Sequence, residues 1–390
     1  MKLILSVDAI VPPLTGIGRY AFELASRLAQ HPNIELVRFY SNRRWVHDLL
    51  ERGALPLAPV SPRSLLRRVP SFVFRKTVPL ILRRKLDDVA ERLAERQLLW
   101  MHRDHVYHSP NYFLPPVSGY GVATIHDLST IKYPHTHPPE RLKQFEKNLS
   151  NTLRRASYLI TDSQAIRQEV IEHFSWPPEK IFSVPLGVAP CYKPGVDAGT
   201  LSILRQYELK AGEYALCVST LEPRKNIDLL LRAYQQLPHN LVQRYPLILA
   251  GSKGWLSESL MDAITDGQRA GWVRYLGYVP ERDLPAIFAG TRAFLFPSSY
   301  EGFGLPVLEA MASGVPVLTS DRSCLPEVSG GAALLVNPED MDALRLGIEK
   351  VLVDDSWRDQ ARAHGLVVAT NATWDRCVSR TVDVYKLCAA

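Results

Sequence analysis

Short apolar runs alternate with helical patterns along almost the whole chain, and no other feature limits its fold as strongly. "KLILSVDA" leads into "GRYAFELASRLAQ" and then "IELVRFYS". Further on come "GVATIHDL", "ASYLITDS" with the helical "QAIRQEVIEHF", and "KIFSVPLGV". Buried runs of this kind, each followed by a helix-length stretch, build βαβ units and a parallel sheet. Residues 186–198, "LGVAPCYKPGVDA", carry Pro and Gly without periodicity and read as a linker. A second series begins beyond it: "YALCVST", "PLILAG", "VRYLG", "AFLFPSS", "VPVLTS" and "ALLV". The expectation is an α/β protein of two Rossmann-like, doubly wound domains, 1–187 and 188–373, facing a central cleft, with a terminal helix at 374–390 that packs back on the first. In such sheets ligands lie beyond the carboxyl ends of the strands, so the turns there are where function is sought.

Composition narrows the class. At 390 residues, 46% hydrophobic and 22% charged, the chain has the material for two globular domains. No apolar run reaches the roughly 18 residues that cross a bilayer. The N-terminal "MKLILSVDAIVPP" has one Lys and too short an apolar run for a secretory leader, so it reads as a first strand and the protein as cytoplasmic. Five cysteines, Cys191, Cys217, Cys324, Cys377 and Cys388, are odd in number and lack CxxC spacing, which speaks against a disulfide frame or a zinc knuckle. A net charge of +6 favours acidic partners.

The most informative turn is "FLFPSSYEGFGLPVLEAMASGVPVLTS", residues 294–320. "AFLFP" reads as a buried strand and "SSYEGFG" as the turn at its carboxyl end. A helix follows over roughly Leu305–Ser313, with Pro306 suited to its start and Gly314 to its C-terminal cap. Glu301 then stands in the turn and Glu309 about one helical turn in. Free amides at the helix start would face the same place, helped by the positive helix end. Carboxylates accept from sugar hydroxyls and amides hold anions, so such a turn suits a ligand with hydroxyl-bearing groups on either side of a phosphate.

This stretch resembles the E-x7-E signature of retaining, nucleotide-sugar-dependent glycosyltransferases of family 4, which have the GT-B fold. "VSTLEPRKNIDLLLRAY" (218–234), "LILAG" (247–251), "LGYVPERDLPAIFAGTRAFLFPSSYEGFGLPVLEAMASGVPVLTS" (276–320) and "SCLPEVSGGAALLVNPED" (323–340) resemble that family too. So do "PPLTGIGRYAFELASRL" (12–28), "HSPNYFLP" (108–115), "TIHDLS" (124–129) and "SVPLGV" (183–188). The resemblance implies an acceptor-binding first domain and a donor-binding second one. It implies that Glu301 contacts the transferred sugar, that Glu309 binds the ribose hydroxyls, and that the backbone of Gly302, Phe303, Gly304 and Leu305 meets sugar hydroxyls and phosphate. Base recognition, largely through backbone groups, is expected around Gly251, Tyr278 and Val279.

Other stretches add to this. "EPRKN" sets Arg224 and Lys225 at the start of a helix, and two cations there make an anion site. By resemblance Lys225 neutralises the donor diphosphate. Many relatives carry a Gly-Arg pair soon after the strand; Ser219-Thr220 stands in its place, and Arg224 is the expected substitute. "TIHDL" places His126 and Asp127 at a strand end. A His-Asp pair alone is most often structural, but the resemblance puts His126 beside the reacting sugar, with Asp127 as its orienting partner or as a group on the acceptor side. "GIGRYA" fits G-x-G-x-x-A, a weak fingerprint by itself, and the following "IELVRFYS" lacks the terminal carboxylate that binds an NAD ribose. Gly16 and Gly18 are therefore read as letting the donor phosphate approach a helix N-terminus, with Arg19 in that loop.

No metal site is expected. For His102, His105 and His108, and for His135 and His137, no nearby carboxylate or cysteine completes a clear ligand set. Asp340 and Asp342 open a helix, where acids suit the dipole. Residues 61–86 mix Arg67, Arg68, Arg75, Lys76, Arg83 and Arg84 with Leu, Ile, Val and Phe, the composition of a segment lying on anionic lipid. No nucleic-acid module is visible.

The expected activity is therefore transfer of a hexose, with mannose or rhamnose preferred, to a glycan in cell-surface polysaccharide assembly. The donor would be a nucleotide-diphospho-sugar, GDP-linked in preference to UDP-linked, and the acceptor lipid-linked. The enzyme would be retaining, without cofactor or metal, and peripheral at the inner face of the cytoplasmic membrane. The alternatives are another GT-B enzyme, such as a nucleotide-sugar epimerase, and a non-catalytic, membrane-docked assembly subunit.

Overall fold

A computed structural model describes residues 1–46, 100–255 and 258–388. Among them the apolar runs become strands. The first series is β1 (Lys2–Ser6), β2 (Leu36–Ser41), β3 (Arg44–Val46), β4 (Val106–Ser109), β5 (Gly121–Ile125), β6 (Tyr158–Thr161) and β7 (Ile181–Ser183). They form one sheet in the order β3-β2-β1-β4-β5-β6-β7. β1 pairs in parallel with β2 and β4, while β3 turns back antiparallel on β2. The second series is β8 (Ala215–Val218), β9 (Leu247–Ala250), β10 (Val273–Gly277), β11 (Ala293–Phe296), β12 (Val317–Ser320) and β13 (Leu334–Val336). Its order is β10-β9-β8-β11-β12-β13, all parallel. Counted from β8 this is 3-2-1-4-5-6, the doubly wound Rossmann order, and its switch point lies between β8 and β11.

The chain divides into two compact units: Met1–Thr124 with Asn151–Tyr158 and Tyr385–Ala390, and Ile125–Ser150 with Leu159–Val384. In the smaller unit the helix Gly16–Leu28 buries Tyr20, Ala21, Leu24, Ala25 and Leu28 on one face, and Thr15 caps it by accepting from the Gly18 amide at 3.2 Å. A buried polar chain crosses this unit. His108 Nε2 meets the Thr124 hydroxyl at 2.9 Å, which also meets Tyr20, and His108 Nδ1 meets the Tyr385 hydroxyl at 2.6 Å. Tyr385 belongs to the last helix, Trp374–Lys386.

In the larger unit Leu216, Leu249, Phe294 and Leu295 are buried at the sheet, and the helix Ile227–Gln235 lays Leu230, Leu231 and Tyr234 into the same interior. Continuous apolar strands, without polar alternation, are what a parallel sheet covered on both faces requires. Among the described residues no helix is long and apolar enough to cross a membrane.

Candidate active site

The two loops that flank the β8/β11 switch point carry the charges. After β8, Pro223–Lys225 form a single 3-10 turn, and Asn226 takes a left-handed φ of 57°. The Asn226 side chain donates to the carbonyls of Pro297 at 3.3 Å and Pro338 at 2.6 Å, tying this loop to the one after β11. The Arg224 carbonyl accepts from the Ser299 amide at 2.9 Å, a second tie.

Glu301 sits in the β11 loop and is buried. Lys225 Nζ lies 2.5 Å from its Oε1 and Arg224 Nη1 3.0 Å from its Oε2. Arg224 Nη1 also donates to the Tyr300 carbonyl, and Nη2 to Glu222 Oε1 at 2.8 Å. Burial pushes the Glu301 carboxyl up, but Lys225 and Arg224 outweigh it and bring it down to about 2. Arg224 is held protonated: burial works against its charge, and Glu301, Asp127 and Glu222 more than compensate. Two cations thus face two buried carboxylates.

The helix after the turn runs Leu305–Ala312, close to the span expected, with Ser313 as its C-cap and Gly314 left-handed at φ 70°. Gly304 precedes it at φ 86°, no side chain caps it, and no acid occupies its first turn. Its first amides therefore have no side-chain cap. Phe303 and Leu305 are buried, as is Glu309 in the helix.

Gly302 has a separate reason to be glycine. A Cβ there would stand 1.9 Å from the His126 carbonyl oxygen, so the β11 turn and the end of β5 touch backbone to backbone. The Gly302 carbonyl accepts from the Ser163 hydroxyl at 2.9 Å, and that same hydroxyl caps the helix Gln164–Phe174. The Tyr300 hydroxyl donates to Glu169 at 2.5 Å and accepts from the Leu128 amide at 3.0 Å. These contacts set His126 beside the turn that bears Glu301.

His126 is buried, and the carboxylate on its Nδ1 is that of Asp162, 2.7 Å away, where sequence reasoning had offered Asp127. Burial raises the Asp162 carboxyl and His126 draws it back in part. An ionised Asp162 would accept a hydrogen bond from Nδ1–H, the tautomer that leaves Nε2 with the free lone pair. Asp127 accepts from the Ser129 amide at 2.9 Å at the start of the short helix Ser129–Lys132 and lies in the field of Arg224. Asp162 and Glu222 are the two site residues that sequence reasoning missed. Asp162 directly follows the strand of "YLITDS", and Glu222, the first letter of "EPRKN", precedes the 3-10 turn in the loop after β8.

The remaining candidates are distributed as follows. Gly251, at φ 140°, passes the β8 loop so closely that a Cβ would be 2.0 Å from the Ser219 carbonyl. Tyr278 is exposed and Val279 buried. Gly16 and Gly18 lie in the smaller unit; a Cβ on Gly18 would stand 2.8 Å from the Ala9 carbonyl, while Gly16 has open space. His105 meets Asp104 at 2.8 Å and packs edge-on against His102. Arg67, Arg68, Arg75, Lys76, Arg83 and Arg84 lie outside the described residues.

Residues 203–365 match the family model for glycosyl transferases group 1, and residues 14–190 that for glycosyltransferase family 4. The chain is 40% identical over 390 residues to the O-antigen chain mannosyltransferase B of Escherichia coli, covering 99% of this chain and 100% of that one. It is 32% identical over 244 residues to the serotype-specific mannosyltransferase WbdA of Escherichia coli, covering 62% of this chain and 30% of that one. Among solved structures, sucrose-phosphate synthase from Thermosynechococcus elongatus superposes with a TM-score of 0.73 at 19% identity, over 99% of this chain and 98% of that one. With two Rossmann-like sheets and neighbours of this kind, the fold is GT-B, and the chain belongs to the glycosyltransferases of group 1 and family 4.

Proposed function

We propose that this glycosyltransferase moves mannose, with retention at the anomeric carbon and without a metal, from a nucleotide-diphospho-sugar to a lipid-linked glycan of an O-antigen-type polysaccharide. The observation that carries the reading is the pair Lys225–Glu301 at the β8/β11 switch point, a cation and a sugar-binding carboxylate 2.5 Å apart. Full-length likeness to a mannosyltransferase of O-antigen chains supports the sugar and the polymer. A GDP-linked donor is preferred to a UDP-linked one, and rhamnose is the second choice of sugar.

In this reading Lys225 and the open amides before Leu305 hold the donor diphosphate, Glu301 takes a hydroxyl of the transferred sugar, and Glu309 the ribose. The bond from the anomeric carbon to the diphosphate oxygen breaks, and its electron pair goes to the diphosphate. Lys225 and the helix end stabilise that developing charge, as preorganised cations and dipoles do. The acceptor hydroxyl attacks from the same face and its proton passes to the departing diphosphate oxygen. His126, oriented by Asp162, lines the reacting centre. The acceptor is brought to the enzyme at an anionic membrane by residues 61–86. Each Lys or Arg near such a surface contributes about 1 kcal/mol, screened by salt.

The test is transfer from GDP-mannose, GDP-rhamnose and UDP-glucose to a lipid-linked acceptor, with and without EDTA, and with the anomeric configuration of the product read by NMR. Transfer of mannose with retention, unchanged by EDTA, supports the reading. A strict metal requirement means the diphosphate clamp is misassigned, and sugar altered or released without acceptor means epimerase or hydrolase chemistry. Loss of liposome binding on changing Arg67, Arg68, Arg75, Lys76, Arg83 and Arg84 to Gln tests the membrane part alone.

A further inference from the structure

Arg224 and Lys225 are adjacent, both cationic and both on Glu301, yet they are built in differently. Both carboxylates on Arg224 are themselves enclosed, Glu222 with 5% and Glu301 with 9% of the side chain exposed. Exposure does not separate the two cations, at 12% for the Arg224 side chain and 13% for that of Lys225; partners do, and the Arg224 backbone is tied to Ser299 as well. Turning that planar fork toward a phosphate would strip a cation from two buried carboxylates and the donor from the Tyr300 carbonyl at once. Lys225 has one ion-pair partner among the described residues and rests over the Phe296 ring at 5.5 Å. Its flexible stem can swing to a phosphate while Arg224 still neutralises Glu301.

We propose that Arg224 is a positioning residue: it holds the Glu301 carboxylate and its turn in place, anchored from behind by Glu222, and leaves the donor diphosphate to Lys225. This rests on the donor-binding reading given above. When Lys225 moves to the diphosphate, Glu301 Oε1 loses its partner and becomes the acceptor for a hydroxyl of the transferred sugar, while Oε2 stays on Arg224. Donor arrival would then switch on the sugar contact, and no free carboxylate would repel the diphosphate beforehand. The groups around Glu301 are Lys225 and Arg224 from the β8 loop with Glu222 behind them, Asp127 after β5 in the field of Arg224, and Ser323 and Cys324 on the Glu301 carbonyl. Of the groups near it, the two cations and the Ser298 hydroxyl favour the ionised carboxylate.

The experiment compares Arg224→Lys, Glu222→Gln and Lys225→Ala in the full-length enzyme. It uses calorimetry with GDP and with UDP, steady-state transfer kinetics, and the acid side of the pH–rate profile. The conservative Arg224→Lys keeps the charge and removes the fork. It is expected to leave nucleoside diphosphate affinity within about twofold, to lower kcat by about tenfold or more, and to make activity fail at a higher pH than in wild type, because Glu301 is protonated more easily. Glu222→Gln should lower kcat by less, through a looser Arg224, without raising the pH at which activity fails, because it removes a like charge near Glu301; Lys225→Ala should lose diphosphate affinity. Arg224→Lys weakening GDP or UDP as far as Lys225→Ala would place Arg224 on the phosphates and overturn the inference. So would a kcat and acid profile equal to wild type. Wild-type enzyme that transfers no sugar would instead sink the donor-binding reading itself.

Discussion

A glycine–x–glycine spacing occurs both in the first turn of the helix after β1 and in the loop between β11 and its helix, and the structure uses the two differently. At Gly16–Gly18 one glycine faces open space and the other clears the Ala9 carbonyl. The carboxylate nearby, Asp8, is taken up by the Ser6 and Ser41 hydroxyls and the Asn42 amide. At Gly302–Gly304 one glycine lies against the His126 backbone, the other is left-handed, and the carboxylate is Glu301 between two cations. Equal spacing thus covers a turn held by neutral hydrogen-bond donors and a turn preloaded with charge. On the function proposed above, the second is the one that exchanges an internal ion pair for a diphosphate.

The sharpest way to break this contrast is Gly302→Ala. A methyl group 1.9 Å from a backbone oxygen cannot be accommodated by a side-chain shift. The substitution should destabilise the protein by about 3 kcal/mol or more and abolish transfer; a thermal melt and transfer rate near wild type would mean that the two backbones do not meet. Next in size, Lys225→Ala should slow transfer by on the order of 10²–10³, the usual loss for one preorganised contact at a developing charge. A fall of less than tenfold would remove Lys225 from the leaving-group site.

Acid titration sharpens the charge side of the comparison. The Glu301 carboxyl is lowered from 4.5 unfolded to about 2 folded. It therefore contributes stability above pH 4.5, of about 3 kcal/mol, which is lost as pH falls toward 2. Glu301→Gln should lack that component of the pH dependence in thermal melts; identical acid profiles would show that the ion pairs are not formed in solution. The smallest effects are expected at the β1 turn. Gly18→Ala should cost about 1–3 kcal/mol through the Ala9 contact. Gly16→Ala should be neutral or stabilising by up to about 1 kcal/mol. A loss of donor affinity in Gly16→Ala without loss of stability would show that the β1 turn also meets the donor, as its sequence suggested.

Much of this molecule was legible before folding. The alternation of apolar runs and helical stretches foretold two parallel sheets, and Gly314 foretold the end of the helix Leu305–Ala312, because period and capping are properties of neighbours in sequence. Glu301 and Lys225 stood out through their surrounding Gly, Pro and basic residues, again a local signal. His126 was visible as a strand-end residue, but its partner was not. Asp162 is separated from it by 36 positions, and only the approach of β6 brings the two together. The same holds for Gly302, whose need to be glycine comes from a carbonyl far back in the chain. It holds also for Arg224 and Lys225, which read alike as a basic pair, are about equally enclosed, and differ in how many partners the fold gives each. Sequence patterns record what a residue asks of its immediate neighbours. Which buried charge faces which, and which of two cations stays free to move, depends on long-range packing, and there the tertiary structure alone decides.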